Sequence, residues 1–216
     1  MAANHRKTVF IGVFIAVAIA LASTVGSAQS LAAATREYKR LVNLGVALRK
    51  IPFARQDRPP HKAFIKKNAK DIVYSEPAGE WMVRSNRYWD LQKKYKDLSI
   101  ADQIAWTAAE NSLPGECEGY VPCTLSVVRM TYGEYLKLYP KGTYSRKALQ
   151  QVVGSLTYIV DDLTSANRSY EGPTEKSERE EFAKAINELR AIVTRVSHPE
   201  KAKALTQIKQ IEDAFK

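Results

Sequence analysis

Cys117 and Cys123 sit with five residues between them in a loop, SLPGECEGYVPC, that separates two helically patterned stretches, DQIAWTAAEN and TLSVVRMTYGEYLKLYP. Gly119 and Pro122 lie inside this short ring and let it turn tightly enough to close. A bridge across it confines the unfolded loop, a gain of about 2–2.5 kcal/mol on the chain-entropy estimate. It also makes the two helices return on each other. Redox and metal roles fit less well. The spacing is not the redox C-x-x-C, and no histidine or third cysteine stands near. A structural disulfide in turn points to an oxidising compartment.

After the cysteine loop the apolar residues Leu125, Val128, Tyr132, Leu136 and Tyr139 recur at helical spacing, and Pro140 stops the run. Proline has no N–H to donate and disfavours helix at the residue before it. A polar turn follows, and a new helix near Ser145–Leu163 uses Leu149, Val152, Leu156, Ile159 and Leu163. Gly133 and Gly154 fall inside these two helices. Each costs about 1 kcal/mol relative to alanine, which predicts close backbone approach at both.

The run from Tyr135-Leu-Lys-Leu-Tyr139-Pro140 through Gly142 to Ala148-Leu149 resembles a repeat boundary of bacterial tetratricopeptide-like proteins. The longer pattern IAWTAAENSLPGECEGYVPC is similar to a family of exported bacterial proteins of unknown function, over roughly residues 64–160. The resemblance implies a helix pair that offers a surface to another protein or a peptide, and it implies no activity. The turn Ser112–Pro122 is longer than a standard repeat allows, and no second copy is legible. One degenerate unit is therefore expected, because an array needs about three repeats to bury a continuous core.

The N-terminus has the layout of a secretory signal peptide. Arg6 and Lys7 precede an uncharged apolar run over 8–22, and Gly26-Ser27-Ala28 supplies a small-x-small cleavage site. The run is shorter than the roughly 20 residues a membrane span needs, although the absence of charge before Arg36 leaves a retained anchor as the alternative. Cleavage after Ala28 places the mature chain in the periplasm or outside the cell.

From residue 29 to 112 the chain carries 16 basic and 9 acidic residues, against 15 and 14 from there to the end. A basic half outside the cytoplasm suggests an anionic neighbour such as a membrane surface. Lys66, Lys67, Lys70, Lys93, Lys94 and Lys96 are the candidate contact residues. The plainer alternative is a solvated face that keeps the protein soluble.

Before the cysteine loop, residues 29–50 read as a helix with Leu31, Ala34, Tyr38, Leu41, Gly45 and Leu48 on one stripe. A linker containing Pro52, Pro59 and Pro60 follows. Ala63–Tyr74 has helical spacing, yet 72–85 around Pro77-Ala-Gly79 also fits a small β-hairpin. Asn86–Leu98 is helical, and Ser99 with Asp102 forms a capping-box pattern for the next helix. After a polar loop, Ser177 with Glu180 repeats that pattern ahead of a helix bearing Phe182, Ile186, Leu189, Val193 and Val196. Pro199 falls at the expected first position of the last helix.

The expected fold is all-α, an irregular helical bundle or short α-solenoid of tetratricopeptide-like pairs, with the hairpin near 72–85 as an option. Its expected divisions are a signal peptide at 1–28, a helix and Pro-rich linker at 29–62, a helical core at 63–163 and a C-terminal helical hairpin at 164–216.

No phosphate loop, H-E-x-x-H or G-x-S-x-G motif is present. His61 and His198 stand at element boundaries, where surface or capping roles are ordinary. Glu110, Glu116 and Glu118 crowd the cysteine loop, and paired carboxylates serve hydrolases. Negative charge beside the next helix N-terminus has a plain electrostatic reading too. The tyrosines lie on apolar stripes, so core packing is favoured over stacking on nucleic acid. The sequence thus points to an exported non-catalytic binder of an envelope protein or peptide, with no cofactor, no metal and no nucleic acid. The alternatives are an envelope hydrolase at Glu116 and a peripheral membrane or cell-wall binder.

Overall fold

A computed structural model describes residues 30–113 and 117–215. The expected signal segment at 1–28 and Glu116 lie outside the described residues. The first helix, α1, spans 30–48 and buries Ala34, Leu41, Leu44 and Leu48. Leu31, placed on the same stripe by its spacing, is instead exposed. A 3₁₀ turn at Phe53–Arg55 leads to α2, His61–Asn68. Phe64 and Ile65 of α2 pack half-buried under α1.

The option at 72–85 resolves as a hairpin. Strands β1, Ile72–Ser75, and β2, Glu80–Val83, pair antiparallel with Ile72 opposite Val83 and Ser75 opposite Glu80. Gly79 takes the positive φ of 63° that the tight turn requires. Ile72 and Val83 are both buried against α1 and the helices that follow. That shared burial decides for strand, since a two-stranded hairpin alone is marginal.

Next come α3, Ser85–Lys94, and α4, Ala101–Glu110. Ser85 Oγ donates to the Ala108 carbonyl and Asn111 Nδ2 to the Val83 carbonyl, fastening the hairpin exit to α4. Helix α4 is apolar nearly all round and serves two cores. Ile104 and Ala108 pack with Leu41, Ile72, Val83, Tyr88 and Leu91. Ala105, Trp106 and Ala109 pack into the larger cluster of the C-terminal helices.

That second core is built from a rod at 121–138 and the three helices that follow it. The rod runs as α5, Val121–Val128, a π turn, Arg129–Gly133, and α6, Glu134–Leu138. The extra residue of the π turn rotates the later apolar stripe. Leu136 is fully buried as its spacing predicts, but Tyr135 is buried with it while Tyr132 and Tyr139 are only half-buried. Helix α7 spans Ser145–Leu163, the bounds its periodicity predicts. Helices α8, Lys176–Thr194, and α9, Lys201–Ala214, close the core with Ile186, Leu189, Ile208 and Ile211.

Two local expectations are corrected. The capping box of α8 is formed by Glu175 and Glu178, not by Ser177 and Glu180. Pro199 lies in the turn before α9, whose N-cap is Glu200. The fold is thus mostly helical with one small antiparallel sheet. Among the described residues no helix is long and apolar enough to cross a membrane.

Candidate binding surfaces

The turn at 139–144 is held by Asp102 of α4. One carboxylate oxygen accepts the Tyr135 hydroxyl, and the other accepts the Thr143 N–H at 2.8 Å. The Tyr144 N–H donates to the same Tyr135 oxygen at 3.0 Å. Trp106 stacks on Tyr144 with ring centres 5.2 Å apart and meets Tyr135 edge-on. Burial, followed by the Asp102 hydrogen bond, pushes the Tyr135 hydroxyl far above the ordinary tyrosine range. Asp102 is fully engaged here, so the expected capping box with Ser99 does not form, and α4 begins at Ala101 with Ile100 at its N-cap position and no side-chain cap.

His198 lies 2.8 Å from Ser145 Oγ. The serine proton goes to the Gly142 carbonyl at 2.8 Å, which leaves the imidazole N–H to donate to the serine oxygen. A serine oriented this way ties α9's approach to the start of α7.

Cys117 and Cys123 are brought to disulfide distance, Sγ–Sγ 2.05 Å. The loop is also clamped to residue 171: Val121 N–H donates to the Glu171 carbonyl and Glu171 N–H to the Gly119 carbonyl, both at 2.9 Å. Gly119 has φ 83°, and a Cβ there would meet the Ser169 carbonyl oxygen at 2.8 Å. Glu118 is exposed beside it with φ 45°. Glu110, at the end of α4, has its carboxyl pushed up by burial, opposed by Lys147. Among the described residues no hydrogen bond or ion pair joins Glu110 to Glu118. No group of three or more potential metal ligands is assembled among them either.

All six candidate lysines are exposed. Lys66 and Lys67 end α2 with Lys70 just beyond, and Lys93 and Lys94 end α3 with Lys96 just beyond. Lys94 is engaged: it bonds Glu37 of α1 at 2.7 Å and lies over the Tyr95 ring. That bond, joined by one from the Tyr95 hydroxyl, holds the Glu37 carboxyl below its usual range. Asp71, next to Lys70, is buried between Arg40 of α1 and Arg87 of α3, each at 2.8 Å. Burial pushes its carboxyl up, but the two arginines outweigh that and hold it low. Glu37 and Arg40 stand one turn apart on α1, about 5 Å. Lys94 and Asp71, the neighbour of Lys70, are therefore tied to the same stretch of that helix.

Two exposed features were not singled out by periodicity. Tyr158 of α7 is 72% exposed, one position before the buried Ile159. One turn earlier, Gly154 has nothing among the described residues within 4 Å of where a Cβ would stand, which corrects the expected close approach there. At Gly133 the tight neighbours are the π turn's own Val128 carbonyl at 3.1 Å and the Leu189 side chain at 3.5 Å, rather than a second helix backbone. The other exposed feature is Phe53, 71% exposed in the linker. Its signal in the sequence was an aromatic residue among prolines and arginines, away from any stripe.

No family model matches this chain, and neither do curated proteins or solved structures.

Proposed function

We propose that the chain is an exported, non-catalytic helical protein whose tetratricopeptide-like pair, the 121–138 rod and α7, docks another envelope protein or a peptide. The observation that carries the reading is the open face of α7. Lys147, Gln151, Gly154 and Tyr158 recur at spacings of four, three and four, a stripe about 16 Å long. Its middle is a glycine that the fold leaves uncovered, and its end is a tyrosine held in water. A helix interior gives up about 1 kcal/mol to keep glycine instead of alanine. Among the described residues no packing partner accounts for that cost at Gly154, and a backbone or side chain pressed against it from outside would. Tyrosine is among the residues that most often anchor such contacts.

The knot under the turn supports the same reading. Asp102, Tyr135, Thr143 and Tyr144 spend their hydrogen bonds on fixing the angle between rod and helix. Ser145 and His198 spend theirs on the helix start. These polar groups make a rigid platform, which favours docking over chemistry.

The test is a photocrosslinking amino acid placed at Tyr158, and separately at Lys184 on the exposed side of α8, in protein kept in its native envelope. An adduct with a defined polypeptide, formed at 158 and absent at 184, is the expected result. Equal adducts at both positions, or none at either, remove the α7 face as the docking site.

A further inference from the structure

We infer that the linker turn around Phe53 is a second binding surface, distinct from the α7 face, and that its partner is an anionic bilayer. The turn is held in place. Arg55 N–H bonds the Pro52 carbonyl at 2.9 Å, Arg58 N–H the Arg55 carbonyl at 3.1 Å, and Lys62 N–H the Arg58 carbonyl at 3.0 Å. Gln56 reaches across to the hairpin, donating to the Gly79 carbonyl at 3.3 Å and accepting the Trp81 indole N–H at 3.1 Å. This frame holds Phe53 outward, with 71% of its surface in water. A phenylalanine so placed adds nothing to the core, and it stands ready to leave water when an apolar phase arrives.

The surroundings decide which phase. Between Arg49 and Lys67 the chain carries seven basic residues, Arg49, Lys50, Arg55, Arg58, Lys62, Lys66 and Lys67, and one acid, Asp57. All seven are exposed, and none forms an ion pair among the described residues. The apolar surface continues beside the turn as a shallow dent lined by Ala47, Ile51, Pro60 and Phe64. A second copy of the chain would bring the same cations face to face, so self-association is opposed by charge. An acidic polypeptide would satisfy the cations and leave the aromatic ring unused. A bilayer with acidic headgroups satisfies both: the cations meet headgroup phosphates, and the ring enters the acyl boundary.

The experiment uses the full chain carrying an environment-sensitive fluorophore at Phe53→Cys. Tyr158→Cys, exposed to the same degree, is the control that reports any approach driven by other segments. With phosphatidylglycerol–phosphatidylcholine vesicles at low salt, emission from position 53 should rise about threefold while position 158 stays unchanged. Pure phosphatidylcholine, or salt of about 0.5 M, should abolish the rise by removing or screening the attraction. The variant Arg55→Glu/Arg58→Glu/Lys62→Glu should abolish it as well, with helix content and melting temperature checked to show that these surface changes leave the fold intact. An unchanged signal at 53 overturns the proposal, as do equal rises at 53 and 158 or on both lipid mixtures. A rise with polyglutamate but not with acidic vesicles also overturns it and assigns the surface to an acidic polypeptide.

Discussion

Replacing Gly154 by alanine should make the protein more stable. The residue lies inside α7, well away from either end, where glycine is about 1 kcal/mol less favourable than alanine. Among the described residues the new methyl group meets nothing within 4 Å, so no overpacking offsets the gain. The expected change is about +1 kcal/mol, which for a chain of this size raises the melting temperature by about 2–4 °C. Gly142 provides the contrast. A Cβ there would stand 2.6 Å from the Tyr135 hydroxyl, 2.7 Å from Tyr139 Cβ and 2.9 Å from an Asp102 oxygen. The same substitution at that position must push the knot apart and should lower stability by about 1–3 kcal/mol. Urea unfolding followed by circular dichroism measures both, with the denaturant slope unchanged if only stability moves. A neutral or destabilised Gly154→Ala protein would refute the reasoning, because it would mean the open face of α7 is covered within the chain. A stabilised variant means the fold does not need this glycine, and the docking reading then has to explain it.

Replacing Cys117 and Cys123 together by serine should cost about 1–2.5 kcal/mol without loss of helix content, and a thiol assay on the native protein should find no free thiol. Tyr135→Phe leaves the Tyr144 N–H and an Asp102 oxygen without their partner, and should cost about 1–3 kcal/mol in thermal unfolding. Asp71→Ala frees Arg40 and Arg87, both able to reach water, so the loss should be about 1–2 kcal/mol and smaller at high salt. The Glu178 carboxyl is held at about 2, against 4.5 for an ordinary glutamate, first by the Glu175 and Thr174 N–H groups and then by the Tyr120 hydroxyl. Its folded-state pKa is depressed, so its contribution is complete above about 4.5 and fades as pH falls toward 2. Amide protection at the start of α8, relative to the intrinsic exchange rate at each pH, should fall across that window, and Glu178→Gln should flatten the acid side of the stability profile.

The sequence by itself determined the helical class and the pairing of Cys117 with Cys123. It also determined the stop at Pro140 and the full extent of α7. These are local matters: a 3.6-residue apolar period, a proline without an N–H, and two cysteines, the chain's only two, brought together by a turn that holds Gly119 and Pro122. The tertiary structure decided everything that depended on a distant partner. The 72–83 segment becomes a hairpin because Ile72 and Val83 find Leu41 and Ile104, residues from helices on either side of it in the chain. Asp102 leaves the cap its spacing suggests because Thr143, 41 residues away, offers an N–H to its carboxylate. Glu178, rather than Glu180, closes the box of α8 because it lies where the Glu175 and Thr174 N–H groups can reach it. Both candidate surfaces belong to this second group. Spacing shows which residues of a helix share a side, but an outward Tyr158, an uncovered Gly154 and a Phe53 left outside by a turn that Gln56 ties to the hairpin appear only once the chain has packed.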